Sequence, residues 1–85
     1  MNNTILVTGG TSGIGQAIAR KFAEAKHDLV IVSRVQDHVD SVCKELEDTF
    51  GVQTLGLALD LTEAGAPERL RDELDQRGVE IEILV

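Results

Sequence analysis

The sequence predicts an α/β fold in which parallel strands alternate with helices. Three observations predict it. Four short runs, at residues 4–8, 28–33, 52–61 and 79–85, are β-rich and largely apolar, the pattern of strands covered on both faces. Between them lie segments whose apolar residues recur at three- and four-residue steps, the period of a helix with one buried face. The joints carry glycines at 9, 10, 13 and 15, then Gly51 and Gly78, and the single proline, Pro67.

Taken in order, "TILVT" at 4–8 reads as a buried strand ended by glycines. From Gly13 the period changes, and Ile14, Ala17, Ile18, Phe22 and Ala25 fall on one helical face, with Arg20, Lys21 and Glu24 largely opposite. "DLVIVS" at 28–33 is a second strand. Val39, Val42, Cys43, Leu46 and Phe50 form the next helical stripe, with Gly51 as its stop. "VQTLGLALDL" at 52–61 is a third strand, in which Gly56 marks a close approach. Pro67 suits a first helical turn. In that helix Leu70 and Leu74 face inward, while Arg69 with Glu73 and Arg71 with Asp75 form (i, i+4) pairs on the solvated side. Gly78 ends it, and "VEIEILV" begins a fourth strand. The order is β-α-β-α-β-α-β, which calls for a parallel sheet covered by helices. Because the chain stops inside an apolar strand at Val85, residues 1–85 are expected to be part of one domain rather than all of it.

Bulk properties narrow the function. At 42% apolar and 27% charged residues the chain is globular in composition, and no apolar run reaches the roughly 18 residues of a membrane helix. "MNNTILV" has neither a basic region nor a cleavable apolar segment, so a cytoplasmic setting is expected. The net charge of −7 argues against nucleic acid and anionic membranes as partners. Cys43, the only cysteine, allows no internal disulfide and lies on a core stripe; His27 and His38 are isolated and show no metal-ligand spacing.

The run "VTGGTSGIG" at 7–15 carries the chemistry. A strand that ends in glycines and opens a helix presents free amides and a partial positive charge to a pyrophosphate. Gly9 lets the chain leave the strand in a tight turn. Gly13 and Gly15 allow phosphate to approach and the helix to pack on the sheet. Thr11 and Ser12 can add hydroxyl donors, Ser12 is a natural N-cap, and Ile14 is expected to point into the core and fix the loop. The spacing, G-x-x-x-G-x-G, is neither the common dinucleotide fingerprint nor a P-loop. A local positive site of this kind is compatible with an acidic chain. At the tip of the second strand stands Ser33, followed by Arg34. An acidic residue there would hold a ribose 2′-hydroxyl and repel a 2′-phosphate; Arg34 instead accommodates that phosphate, which favours NADP(H) over NAD(H). Asp60, on residue type alone, is a turn or cap residue.

"TGGTSGIG", Thr8 to Gly15, resembles the T-G-x-x-x-G-I-G motif of classical short-chain dehydrogenases/reductases. The resemblance runs through "DLVIVSR", "LALDLT" and the final "IEILV", in the family's order and spacing. It implies a partial Rossmann-type, doubly wound parallel sheet of four strands in the order 3-2-1-4. The first two helices would lie on one face, the third on the other, and strand 4 would be an open edge that invites association. Residues 1–85 would then be the N-terminal part of an NAD(P)-binding domain. The resemblance further implies that Asp60 meets the adenine amino group, with Leu61 supplying adjoining backbone. Lys26 and His27 stand where the family turns with a glycine; a positive φ at either would cost about 1 kcal/mol. The implied activity is hydride transfer between NADP(H) and an alcohol or carbonyl substrate, in a parent that is a homo-oligomer. Its Tyr-x-x-x-Lys and Ser catalytic set lies outside this chain, which contains no tyrosine, and its Asn-Asn-Ala-Gly segment is also absent. No catalytic residue is therefore assigned, and the chain alone is expected to be inactive. The alternative from another class is a stand-alone nucleotide-binding or interaction module without catalysis.

Overall fold

A computed structural model of the chain describes residues 3–9 and 12–84. Seven elements alternate as expected: β1 (Thr4–Thr8), α1 (Gly13–Glu24), β2 (Leu29–Ser33), α2 (Gln36–Phe50), β3 (Thr54–Ala58), α3 (Ala66–Gln76) and β4 (Ile81–Leu84). The strands form one sheet in the order β3-β2-β1-β4, and every neighbouring pair is parallel. β1 registers Ile5 on Leu29 and Thr8 on Val32, and β2 registers Leu29 on Thr54 and Ser33 on Ala58. The β1–β4 ladder shifts between Thr4 and Ile5, passing over Glu82.

Side chains of successive strand residues point to opposite faces, and here both faces are covered. Ile5, Val7, Leu29 and Ile31 pack with Ala19 and Ala23 of α1 and with Val39, Val42, Cys43 and Leu46 of α2. Leu6, Val30 and Val32 pack with Leu70 and Leu74 of α3, joined by half-buried Leu55, Leu57 and Ile81. This two-sided burial is why the strands read as apolar runs.

The helix signals hold at most ends. Gly51 caps α2 at φ 73°, Gly78 follows α3 at φ 66°, and Pro67 sits in the first turn of α3. Gly56 is a close approach as read: a Cβ there would lie 2.3 Å from Val39 Cγ1 and 3.1 Å from Cys43 Sγ. Lys26 takes the positive φ, 69°, and its Nζ donates to the Phe50 carbonyl at 2.5 Å. His27 lies edge-on to Phe22 with Nδ1 2.9 Å from the Asn3 carbonyl oxygen, and Cys43 is buried.

Four readings are corrected. The stripe of α1 is rotated: Gly15, Ala19 and Ala23 are buried and Ile18 and Phe22 half-buried, whereas Ala17 and Ala25 are exposed. Ile14 does not enter the core; it is 79% exposed, because the first turn of α1 presents it away from the sheet. The strands are shorter than the apolar runs. Asp28 precedes β2 and accepts from the Gln53 N–H at 2.9 Å, while residues 59–61 leave β3 to enter a turn. The charged pairs on α3 are also regrouped: Glu73 pairs with Arg77 at 3.1 Å, Arg69 with Glu63 at 3.6 Å, and no Arg71–Asp75 ion pair forms among the described residues.

Candidate functional site

In a parallel sheet every strand delivers the following loop to the same edge. β1, β2 and β3 are neighbours, so the residues after Thr8, after Ser33 and after Ala58 converge there. Two hydrogen bonds carry the ladder past the strands and bind the loops together: Gly9 N–H donates to Val32 O at 2.9 Å, and Leu59 N–H donates to Ser33 O at 2.8 Å. The result is an open cavity of about 370 Å³ bordered by the Gly9 turn, Ser12, the Ser33–Arg34 tip and the 59–62 loop, within the range of ordinary small-molecule sites. It borders β1, beside which the strand order reverses: β4 lies on the opposite side of β1 from β2. Ligands of doubly wound sheets bind at such a reversal.

The Gly9 turn is glycine for a reason. Its φ is 67°, a conformation that L side chains rarely adopt, and a Cβ there would meet nothing within 4 Å. The turn is braced by Ser12, the N-cap of α1, which accepts from Gly15 N–H at 3.0 Å and donates its own proton to the Gly9 carbonyl at 2.8 Å. This corrects one expectation: the Ser12 proton is engaged within the loop, so its hydroxyl shapes the turn and is not a spare donor. The first turn of α1 holds no acidic residue, so nothing there offsets the positive end of the helix.

Arg34 is exposed beside the cavity and forms no ion pair among the described residues. Across from it, Asp60 accepts through Oδ1 from both Thr62 N–H, at 2.9 Å, and Thr62 Oγ1, at 2.6 Å. The Thr62 hydroxyl first, then its N–H, hold the Asp60 carboxyl below its usual range against a small desolvation penalty, and Arg34 adds a weaker pull. Asp60 is thus an anion with one oxygen occupied.

The cavity brings together Gly9, Ser12, Ser33, Arg34, Asp60 and Leu61 from among the sequence candidates. Gly13, Ile14 and Gly15 lie in the first turn of α1 and do not border it, and Thr11 lies outside the described residues. Sequence reasoning missed Thr62. The signal was present as an Asp-x-Thr pair at a strand end, where a hydroxyl two residues on reaches back to the carboxylate.

Among the described residues no group of acidic, His or Cys side chains could hold a metal ion, and no helix is long and apolar enough to cross a membrane. A family model described as short chain dehydrogenase matches residues 3–85. The very-long-chain 3-oxoacyl-CoA reductase of Macaca fascicularis is 39% identical over 80 residues, which are 94% of this chain and 25% of that protein. Sulfoacetaldehyde reductase 2 of Chromohalobacter salexigens is 33% identical over 85 residues, all of this chain and 33% of that protein. Among solved structures, L-sorbose reductase from Gluconobacter frateurii, complexed with NADPH and L-sorbose, superposes with a TM-score of 0.91 at 29% identity, covering 96% of this chain and 31% of that one. A short-chain dehydrogenase from Sphingobium yanoikuyae in complex with NADPH gives 0.84 at 37% identity, covering 95% and 31%. The chain therefore spans a quarter to a third of the length of these relatives.

Proposed function

The chain belongs to the short-chain dehydrogenase family, and from that membership and the cavity at the strand ends we propose that it is the dinucleotide-binding, N-terminal part of an NADP(H)-preferring oxidoreductase. The observation that carries this reading is Arg34: a guanidinium at the β2 tip, free of ion pairs among the described residues, beside a cavity shared with Gly9 and Asp60. The residues fit the group on three counts. Gly9 leaves open space over its backbone. Ser12 holds the turn so that the start of α1 faces a pyrophosphate with no acidic residue to oppose it. Asp60 accepts from Thr62 through Oδ1 alone among the described residues, which leaves Oδ2 to accept from an adenine amino group, with Leu61 beside it.

In this reading Gly9, Thr11, Ser12, Gly13, Ile14 and Gly15 form the pyrophosphate turn, Ser33 and Arg34 hold the ribose phosphate, and Asp60 and Leu61 hold the adenine. The bound cofactor supplies hydride exchange with an alcohol or carbonyl carbon. This chain's residues bind and orient; the chain contains no tyrosine to serve as the family's proton donor. A second reading, binding without turnover, applies to the 85 residues taken alone and rests on that same absence. A reducing, cytoplasmic setting suits the single buried thiol.

The test is titration calorimetry of the whole protein that carries this chain with NADPH and NADH, for the wild type and Arg34→Ala. Hydrogen bonds to a charged group contribute about 1.5–3 kcal/mol, so NADPH should bind about tenfold or more tightly than NADH. Arg34→Ala should remove most of that difference and leave NADH affinity nearly unchanged. Equal wild-type affinities refute the NADP(H) preference.

A further inference from the structure

We infer that Asp60 limits the cofactor preference that Arg34 confers: it is the one carboxylate among the described residues that line the cavity, and its charge opposes the added phosphate that distinguishes NADPH from NADH. The inference rests on the dinucleotide reading above and adds to it a residue that holds the discrimination down.

The geometry is one guanidinium and one carboxylate on adjacent strand ends. β2 and β3 run in parallel register from Leu29 on Thr54 to Ser33 on Ala58. Past the strands, Leu59 N–H donates to Ser33 O at 2.8 Å, and the residues that directly follow this bonded pair are Asp60 and Arg34. Both border the same open cavity. The Thr62 hydroxyl and then its N–H do most to favour the Asp60 anion, and Arg34 adds a weaker pull across the cavity. A phosphate held by that guanidinium is therefore held within electrostatic reach of the carboxylate as well. No further charged side chain among the described residues lines the cavity: Asp37, in the first turn of α2, and Glu63, paired with Arg69 at 3.6 Å, lie outside the lining.

NADPH and NADH share their base, pyrophosphate and nicotinamide and differ only in the 2′-phosphate. That group carries a charge of about −2 at about pH 8, well above a second phosphate pKa of about 6. A contact that Asp60 makes with the shared parts acts on both ligands and cancels in the ratio of their affinities. The ratio keeps the part that acts on the extra phosphate, attraction to Arg34 and repulsion from Asp60. Both side chains are solvated, so the repulsion is modest, about two- to fivefold in an equilibrium constant at low ionic strength.

The experiment is calorimetry of the whole protein with NADPH and NADH at about pH 8 in about 10 mM salt, where the Debye length is about 30 Å. Asp60→Asn should raise the NADPH-to-NADH affinity ratio by about two- to fivefold, whatever it does to either affinity alone. Asp60→Glu keeps the charge and should keep the wild-type ratio, which a role resting on the shape of the side chain would not do. Asp75→Asn makes the same change in net charge on an exposed part of α3 outside the cavity lining, and should leave the ratio where it was. At about 1 M salt, where the Debye length is about 3 Å, the difference between Asp60→Asn and the wild type should close.

A ratio that Asp60→Asn leaves unchanged overturns the inference. So does a ratio that it lowers, since Asp60 would then be supporting Arg34 and not opposing its ligand. An increase that persists unchanged at about 1 M salt also overturns it, because a contact and not a field would be responsible. If Asp60→Asn does not fold, Thr62→Asp decides: it adds a carboxylate to the lining and should lower the ratio, and an unchanged ratio overturns the inference. A wild type that binds NADPH and NADH equally refutes the NADP(H) preference, while a rise of the ratio in Asp60→Asn still supports this inference. Absence of NADPH binding overturns the dinucleotide reading and this inference with it.

Discussion

Gly56→Ala should destabilise the protein by about 2 kcal/mol, and the reason is one contact. Apolar carbons sit about 3.5–4.0 Å apart at their energy minimum, whereas the new Cβ would lie 2.3 Å from Val39 Cγ1 and 3.1 Å from Cys43 Sγ. Relief requires a displacement of roughly 1.2 Å. Val39 cannot provide it by rotating, because it is fully buried in a helix, where its χ1 has one strongly preferred well. The α2 helix must lift from β3, at the upper end of the about 1–3 kcal/mol typical of overpacking. Against this, replacing glycine narrows the unfolded ensemble and returns about 0.4–1 kcal/mol. With a urea m-value of about 1–3 kcal/mol/M, the unfolding midpoint should fall by about 1 M. The assay is urea denaturation followed by circular dichroism, for Gly56→Ala, Val39→Ala and the double variant. Removing the Val39 methyls opens the space the alanine needs, so the double variant should be at least about 1 kcal/mol more stable than the sum of the single losses predicts. A midpoint unchanged by Gly56→Ala, or additive losses in the cycle, refutes the reasoning.

Two further predictions concern local strain. Thr4 is buried and its Oγ1 has no hydrogen-bond partner among the described residues, beside the register shift between β1 and β4; Thr4→Val removes that polar group and should raise stability by about 1 kcal/mol in the same urea assay. Lys26 combines a strained φ of 69° with a Nζ bond to Phe50 O; in Lys26→Gly the strain relief of about 1 kcal/mol is offset by the lost bond and by glycine's wider unfolded ensemble, about 0.5–1 kcal/mol each, so stability should change by less than about 1 kcal/mol. Lys26→Ala keeps the strain and loses the bond, so it should be destabilising; a Lys26→Ala protein as stable as the wild type sinks this account.

The architecture was legible because β1 and β2 are buried on both faces, which forces continuous apolar runs, and because helix ends need particular backbone conformations that Gly51, Gly78 and Pro67 supply. The face of α1 was not legible for a physical reason. Its alanines and isoleucines support two overlapping stripes of similar hydrophobicity, and packing chooses between them by size. The helix lies against the sheet along Gly15, Ala19 and Ala23, its smallest residues, which leaves Ile14 outside. Periodicity weighs apolarity and does not weigh closeness of approach. At the candidate site, the strand ends singled out Gly9, Ser12, Ser33 and Arg34, and the family resemblance added Asp60 and Leu61; the cavity brings all six together. It could not tell which polar atoms the chain uses on itself. Ser12 was read as a donor and holds the turn, and Thr62 went unread although it fixes the carboxylate.

How an acidic chain would hold a polyanion follows from where its charges lie. The net charge is −7, yet the acidic residues of the helices concentrate in α2 and α3, and α1 opens with none in its first turn. Three of the fifteen acidic residues are ion-paired on the surface among the described residues, Glu45 with Arg20, Glu63 with Arg69 and Glu73 with Arg77, and exposed charge is screened over about 8–10 Å at physiological salt. In the proposed reading Arg34 and the start of α1 serve the phosphates of a dinucleotide; Arg34 and the N-cap Ser12 border the cavity. In that reading Asp60, the one carboxylate among the described residues that line the cavity, serves a base that offers a donor. A guanidinium on the β2 tip and a carboxylate on the loop after β3 would impose an orientation as well as an affinity. A ligand bound the other way round would bring a phosphate to Asp60 and a base edge to Arg34, losing both charge-assisted contacts and gaining a repulsion.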